Sequence, residues 1–303
     1  MEADSMENQV PWLPIFERPQ LRWPEEHRLA VWVCPNLEHY DYLPPPQPKR
    51  DPWPRMPHPD ILGYGEKDYG NRVGTWRLFQ VLEQHGIRAT ASGGLTCFSR
   101  YPEILEKCLE LDWDCMCHGF ENTSYLWDMP LAEERQLIER ACSVFESQFG
   151  RKLKGWFSPA ASHTDNTLEL ITEAGIEYFC DWYHDDQPFP IFSDKGAIIT
   201  LPYSMELNDV VARLRGMEAV DFARVVRDAF DTLWEEGNDQ GRVLCIALHP
   251  YVSGQPHWVD TIDKLFDDLR REPSVWWATG AEISDWYYRT MFGSVVTLTG
   301  ARK

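Results

Sequence analysis

The chain has 303 residues, of which 43% are hydrophobic and 25% charged, a balance that favours a globular protein over a disordered one. Its 48 acidic residues outnumber the 29 basic ones, and the net charge of −19 argues against nucleic acid or an anionic membrane surface as a partner. The N-terminus lacks the basic and apolar segments of a secretory signal, and no segment approaches the roughly 18 apolar residues of a membrane span. We therefore expect a cytoplasmic protein.

The chain contains eight cysteines, several of them inside apolar runs. This placement predicts buried free thiols rather than a disulfide framework. The run Cys115-Met116-Cys117-His118 invites a metal interpretation, but its spacing is not that of a zinc knuckle. We expect these two thiols to pack in the core.

The first elements in chain order are an arm, a strand and a long loop. Residues 1–28 are polar with scattered prolines, and they predict an arm that packs over the body or frays. Residues 29–36 are apolar and partly β-branched, which predicts a buried strand. Residues 44–59 hold eight of the 22 prolines, so we expect an irregular surface loop there.

After this loop, predicted helices and strands alternate. Helical spacing of apolar residues, with glycine or proline at several ends, predicts seven helices. They are 73–86, 101–111, 130–150, 166–175, 219–237, 258–271 and 281–292. The eight predicted strands are 29–36, 87–92, 112–119, 153–159, 176–182, 197–204, 242–250 and 274–279.

This alternation defines the expected fold class. Strict strand–helix alternation implies parallel strands with right-handed crossovers, hence an α/β fold. Seven or eight such units fit a closed barrel better than an open sheet, although periodicity alone does not separate the two. We expect an arm at 1–28, one barrel domain at 29–290 and a tail at 291–303.

Polar side chains fall at or just past the predicted carboxyl ends of the strands. They are Asn36, Glu38, His118, Ser158, Asp181, Tyr203 and His249. In parallel α/β folds this is the face on which sites are built, so we expect these side chains to converge. Any single one of them could instead simply begin a loop.

Three of these residues carry the candidate chemistry. Glu38 lies on the same side of its strand as Asn36 and could be a general base, a metal ligand or a surface carboxylate. His118 and Asn122 are four residues apart and can face one point, although asparagine is a poor zinc ligand and often caps a turn. His249 precedes a proline and could donate a proton, or be a buried histidine bonded to backbone.

The substrate-binding candidates rest on weaker signals. Asp181 and Trp182 offer a carboxylate and a stacking surface, or belong to a solvated loop, and the same alternatives hold for Tyr203 and for 208–209. His257 is a candidate for a supporting contact or a helix start. The full set of substrate-binding candidates is Asn36, Asn122, Asp181, Trp182, Tyr203 and His257.

Several stretches together resemble the polysaccharide deacetylase superfamily (NodB-like, carbohydrate esterase 4-like), in its branch of allantoinases and cyclic imidases. The stretches are 36–38, 69–78, 118–124, 155–175, 181–189, 201–209 and 247–258. The resemblance implies a distorted (β/α)7-type barrel and hydrolysis of a non-peptide C–N amide bond. Related enzymes also suggest a homo-oligomer, namely a tetramer.

The resemblance can be carried over residue by residue. Metal-dependent members of the superfamily have an Asp base, an Asp ligand and a His-x-x-x-His pair. Here Asn36 stands in the place of the base, and Glu38 in the place of the acidic ligand. His118 matches the first histidine, whereas Asn122 replaces the second.

Two later motifs complete the comparison. The segment 157–159 lacks the arginine that would orient the missing Asp base, while Leu248-His249 is intact. Because the Asp base and its arginine are both absent, the sequence resembles the branch that contains metal-independent allantoinase. A zinc site made of Glu38, His118 and a third ligand is the alternative to no cofactor at all.

Our hypothesis is a hydrolase of a small cyclic amide, ureide or imide. Glu38, aided by His118, activates water, backbone or Asn122 N–H groups stabilise the oxyanion, and His249 protonates the departing nitrogen. One alternative is a metal-dependent deacetylase of an N-acetyl sugar or oligosaccharide. A second is a barrel that binds a ligand without turnover.

Overall fold

The computed structural model describes residues 9–44 and 59–300. Apart from its two end residues, the predicted loop at 44–59 lies outside the described residues, as do 1–8 of the arm and 301–303 of the tail. None of the described helices is both long and apolar enough to cross a membrane.

The described residues form one curled sheet of nine strands. They are β1 (Leu29–Leu37), β2 (Thr90–Gly93), β3 (Asp114–Cys117), β4 (Gly155–Trp156), β5 (Tyr178–Phe179), β6 (Phe189–Ser193), β7 (Gly196–Thr200), β8 (Arg242–Leu248) and β9 (Val275–Trp277). The order is β6-β7-β5-β4-β3-β2-β1-β8, with β9 also paired to β1. All pairs are parallel except β6–β7. This is a single-domain distorted (β/α) barrel, as the sequence predicts.

Helices connect most of the strands. They are α1 (Ile61–Tyr69), α2 (Thr75–Gln84), α3 (Leu95–Arg100), α4 (Pro102–Glu110), α5 (Leu131–Phe149), α6 (Thr167–Glu173), α7 (Asp209–Leu214), α8 (Ala219–Glu236), α9 (Pro256–Leu269), α10 (Gly280–Tyr287) and α11 (Gly293–Gly300). π-Helical turns at Gly70–Gly74 and Tyr288–Phe292 join α1 to α2 and α10 to α11.

Strand register brings three strand ends to one level. Leu37 pairs with Gly93 of β2, which pairs in turn with Cys117 of β3. On the other side of β1, Pro35 pairs with Leu248. The residues that follow β1, β3 and β8 therefore emerge at the same end of the barrel, with β2 between β1 and β3.

Both faces of β1 are buried, which is why its sequence is almost uninterruptedly apolar. Leu29, Val31 and Val33 join the core between sheet and helices, whereas Trp32 and Cys34 join a second core. This is the period of two that a strand imposes. All eight cysteines are free and seven are buried, as predicted.

The predicted alternation is wrong at one edge of the sheet. β6 and β7 form an antiparallel hairpin with no helix between them, and β6 was not predicted. Its sequence contains Pro190, which weakens a strand signal but is tolerated on an edge strand. The predicted helix at 101–111 is preceded by a separate helix, α3, and the sequence did not predict α1 or α7.

The sheet path ends at β6 and β8, and the arm and the segment after β7 cover this side. Asn208 makes an isolated parallel bridge to Ala247 of β8. In the arm, the Trp23 indole donates to the Arg242 carbonyl at 2.8 Å, and Arg18 pairs with Asp185 at 2.6 Å. The described part of the arm thus packs over the barrel.

Candidate active site

Glu38, His118 and His249 come together at the carboxyl end of the barrel. They directly follow β1, β3 and β8, and each is at most 7% exposed. The Glu38 Oε1 atom lies 3.5 Å from His118 Nε2 and 3.8 Å from His249 Nε2. Both distances exceed a direct hydrogen bond of about 2.9 Å, so this carboxylate oxygen is flanked by imidazoles without being locked to either.

His118 is held by the end of β4. Its Nδ1 donates to the Phe157 carbonyl at 2.8 Å, because a carbonyl oxygen can only accept. Its ring stacks on the Phe157 ring at a centroid distance of 4.6 Å. Together these contacts turn Nε2 towards Glu38.

His249 is held by Asp209, the first residue of α7. Asp209 Oδ1 accepts from His249 Nδ1 at 2.7 Å, and Oδ2 accepts from the His249 backbone N–H at 2.7 Å. Oδ2 also accepts from the backbone N–H and the hydroxyl of Ser253. Asn208 caps α7 and so fixes where this carboxylate points.

The surroundings shift the pKa values of the acid and the base in opposite directions. Burial alone would raise the pKa of the Glu38 carboxyl, but the contact with His118 and the charge of His249 outweigh burial and lower the pKa below its ordinary value. Burial alone would lower the pKa of His249, but the Asp209 carboxylate raises the pKa above its ordinary value. The surroundings therefore favour the ionised form of Glu38 and the protonated form of His249.

A hydroxyl network holds the other oxygen of Glu38. The Tyr40 hydroxyl donates to Glu38 Oε2 at 2.9 Å and accepts from Asn122 Nδ2 at 2.6 Å. The Tyr251 hydroxyl also donates to Tyr40. Asn71 Nδ2 donates to the Glu38 backbone carbonyl at 2.9 Å. Glu38 is thus fixed through one carboxylate oxygen and its backbone, which leaves Oε1 to face the histidines.

Asn36 and Tyr203 lie inside the barrel end and bond to each other. Asn36 Nδ2 lies 3.2 Å from the Tyr203 hydroxyl and 3.3 Å from the Cys34 carbonyl. Tyr203 packs on Phe157, the residue that stacks on His118, with a centroid distance of 4.5 Å. Both residues are almost fully buried and support the site from below.

Asp181, Trp182 and His257 do not join the cluster of Glu38, His118 and His249. Asp181 accepts from the Ser158 backbone N–H at 2.7 Å and from His163 at 3.0 Å, and Trp182 packs on His163. His257 is exposed in the first turn of α9. Within the described part of the chain, no hydrogen bond, ion pair or ring contact joins these three residues to Glu38, His118 or His249.

The side chains around Glu38 differ from the zinc site that the resemblance implies for metal-dependent members of the superfamily. Among residues 9–44 and 59–300, no group of three or more His, Cys, Asp or Glu side chains is arranged to hold a metal ion. Glu38 and His118 supply two donors, but Asn122 turns its amide nitrogen to Tyr40, and an amide nitrogen does not bind zinc. The residues present therefore do not fit that metal site.

Three residues of the site escaped the sequence analysis. Tyr40 was missed although alternation along 36-38-40 places it on the same side as Glu38. Asp209 was noted only as part of a loop that could be solvated, because its partner His249 is 40 residues away. Tyr251 lies two residues after His249, and no sequence pattern there distinguished it as a site residue.

The fold and this site define a class of protein. Residues 67–179 match the family model described as polysaccharide deacetylase. A Schizosaccharomyces pombe protein whose name places it among polysaccharide deacetylases is 26% identical over 235 residues, which is 72% of this chain and 73% of that protein. A peptidoglycan deacetylase of Helicobacter pylori is 20% identical over 261 residues, covering 75% and 87%.

Solved structures agree on the fold. The crystal structure of the allantoinase PuuE superposes with a TM-score of 0.80 at 22% identity, covering 93% of this chain and 98% of that one. At this identity the likeness establishes the fold. The family model and the curated relative identify residues 67–179 as a polysaccharide deacetylase (NodB-homology) domain, and this family implies a hydrolase of carbon–nitrogen bonds other than peptide bonds.

Proposed function

We propose that this protein opens a small cyclic amide, ureide or imide by hydrolysis, using side chains rather than a metal ion. The observation that carries the proposal is the position of Glu38 Oε1 between His118 Nε2 and His249 Nε2. It places a carboxylate that can act as base within 3.8 Å of an imidazole that can act as acid. The lowered pKa of Glu38 and the raised pKa of His249 support these two roles.

The mechanism has two steps. A water molecule adds to a ring carbonyl carbon, and Glu38 takes the proton that this water loses, with His118 positioning the water from the other side. The carbon–nitrogen bond then breaks as His249 gives its proton to the departing nitrogen. The product is an open chain with a new carboxyl group at one end and a neutral amide or urea N–H at the other. The proton on Glu38 then returns to His249, which resets both groups.

The expected oxyanion donors stay as proposed. Asn122 Nδ2 donates one of its two hydrogens to Tyr40, so its second N–H and the backbone N–H groups are both candidates for that role. Asn122 still lines the network around Glu38, with its amide oxygen available for another role.

Burial favours a small substrate. Glu38, His118 and His249 are at most 7% exposed, whereas a polymer needs a groove in which a long chain can lie across the reacting groups. The structural likeness to an allantoinase supports the same substrate class, since allantoin is a small ureide ring. We propose a small-molecule substrate on these grounds.

The direct test is a substrate panel. Purified protein is incubated with allantoin, hydantoin and succinimide, and in parallel with oligomers of N-acetylglucosamine, and ring opening or acetate release is measured. Turnover of at least one ring with no acetate release is the expected result. Acetate release without ring opening would contradict the proposal.

The second candidate is deacetylation of an N-acetyl sugar. The family model and the Helicobacter pylori relative favour it, because both carry deacetylase in their names. This function would use Glu38 and His118 as metal ligands and would need a third ligand. Measuring acetate release again with added zinc tests this candidate. Binding of a ring without turnover would instead support a barrel that binds a ligand and does not catalyse a reaction.

A further inference from the structure

The orientation of the Asn122 amide follows from the hydrogen bonds of Tyr40. A tyrosine hydroxyl has one hydrogen to donate and two lone pairs to accept with. The Tyr40 hydrogen goes to Glu38 Oε2, because an ionised carboxylate can only accept. Asn122 must therefore present its NH₂ group to Tyr40, and its Oδ1 must point elsewhere.

This leaves a buried acceptor without a partner. Among the described residues, Asn122 Oδ1 is shielded from solvent and accepts no hydrogen bond. Buried polar atoms in proteins are almost always satisfied, so an unsatisfied one calls for a specific explanation. A peripheral loop asparagine would turn such an oxygen to water.

The unsatisfied oxygen lies within reach of a substrate at Glu38. The two polar atoms of an amide are about 2.3 Å apart, given its standard bond lengths. Asn122 Nδ2 lies 2.6 Å from the Tyr40 hydroxyl, which lies 2.9 Å from Glu38 Oε2. Asn122 Oδ1 is therefore no more than about 8 Å from that carboxylate oxygen, a span that one water and a five-membered ring can bridge.

We propose that Asn122 Oδ1 accepts a hydrogen bond from a ring N–H of the substrate next to the carbonyl that is attacked. The acceptor makes the site selective for ureides and imides that carry this N–H, and it excludes rings whose nitrogen is alkylated. The assignment rests on the proposed ring-opening function and narrows its substrate class.

The chemistry of the acceptor explains why the selectivity is expected to be large. A site that is built to hydrogen-bond a substrate N–H rejects the analogue without it, since the buried polar group of the protein then stays unpaired. The expected preference is at least about 100-fold in kcat/KM. In plain water, N-methylation removes no step of imide hydrolysis, so such a preference has to come from the protein.

The test compares matched rings in the wild-type protein and in variants. The probes are succinimide with N-methylsuccinimide, and hydantoin with 3-methylhydantoin. Asn122→Leu keeps the side-chain size and removes both the acceptor and the N–H that is donated to Tyr40. Asn238→Leu alters an exposed asparagine of a distant loop and serves as control. Thermal melting of each variant reports whether it is folded.

The expected result is a loss of the preference for N–H rings. Asn122→Leu should lower kcat/KM for succinimide or hydantoin about 100-fold more than for the matched N-methyl ring, so that the two rings react alike. Asn238→Leu should keep the preference of the wild-type protein. If the role of Asn122 were merely structural, the variant would lower kcat/KM for both rings by the same factor, and the preference for the N–H ring would remain.

Two outcomes would overturn the assignment while leaving the proposed function in place. One is equal turnover of N–H and N-methyl rings by the wild-type protein, which needs no variant. The other is an unchanged preference in folded Asn122→Leu. Absence of turnover on every ring would instead overturn the proposed function, and with it this assignment.

Discussion

Asp209 lies 2.7 Å from His249 Nδ1 and accepts the backbone N–H of the same histidine through its second oxygen. One buried carboxylate therefore fixes both the position and the tautomer of the imidazole. Nε2 is left as the atom that faces Glu38. In the proposed reaction this pair is the proton donor, and Glu38 is the proton acceptor.

Replacing Asp209 with asparagine should weaken the acid. The Asp209 carboxylate raises the pKa of His249, while burial opposes it, so the Asp209→Asn protein should lose the His249 proton at a lower pH. The alkaline limb of the kcat profile should lie above the ordinary histidine pKa in the wild-type protein and move to lower pH in the variant. A profile measured from pH 5 to pH 10 checks this, and an unmoved alkaline limb would remove His249 from the role of acid.

Replacing Glu38 with glutamine should remove the base. Glutamine keeps the shape but cannot take a proton, so kcat should fall about 100-fold or more. Glu235→Gln, on the exposed face of α8, is the matched control and should keep wild-type turnover. Full activity in folded Glu38→Gln would show that another group activates the water.

Replacing Tyr40 with phenylalanine should alter the base without removing it. The Tyr40 hydroxyl donates to Glu38 Oε2 and helps to lower the pKa of this carboxyl, so the pKa should rise when the hydroxyl is lost. The acid limb of the kcat/KM profile should then move to higher pH. If only the plateau falls and the acid limb stays in place, Tyr40 acts on substrate binding alone.

The junction of α1 and α2 should be intolerant of side chains. A Cβ at Gly74 would lie 2.0 Å from the Pro250 carbonyl oxygen, in the segment that follows His249. We expect Gly74→Ala to destabilise the fold by at least about 2 kcal/mol, since backbone has to move. Gly65→Ala, in α1 with open space around it, should be neutral or stabilise by up to about 1 kcal/mol. Urea unfolding of both variants measures the difference.

The sequence predicts the parts of this site that depend on strand ends. Glu38, His118 and His249 emerge where a parallel sheet places its carboxyl ends. In the sheet, β1 pairs directly with β8 and reaches β3 through β2. The resemblance to a known family also points to these three positions. The barrel class is predictable for the same reason, since alternating strands and helices leave few topologies.

The remaining parts depend on contacts distant in sequence. Asp209 gains its role only because the bridge from Asn208 to Ala247 brings α7 against the end of β8. The Asp181 carboxylate, expected in the site, is instead used by Ser158 and His163. Nothing in the local pattern separates these two aspartates, because both follow the end of a strand and lie among polar neighbours.

The central claim is ring opening by side chains, and one measurement tests it most directly. Untagged protein is stripped with a chelator, its metal content is determined by elemental analysis, and turnover of allantoin, hydantoin and succinimide is measured before and after stripping. We predict unchanged turnover of at least one ring by protein with far less than one metal ion per chain. About one zinc per chain, with turnover lost on stripping and restored by added zinc, would contradict the account and make Glu38 and His118 metal ligands.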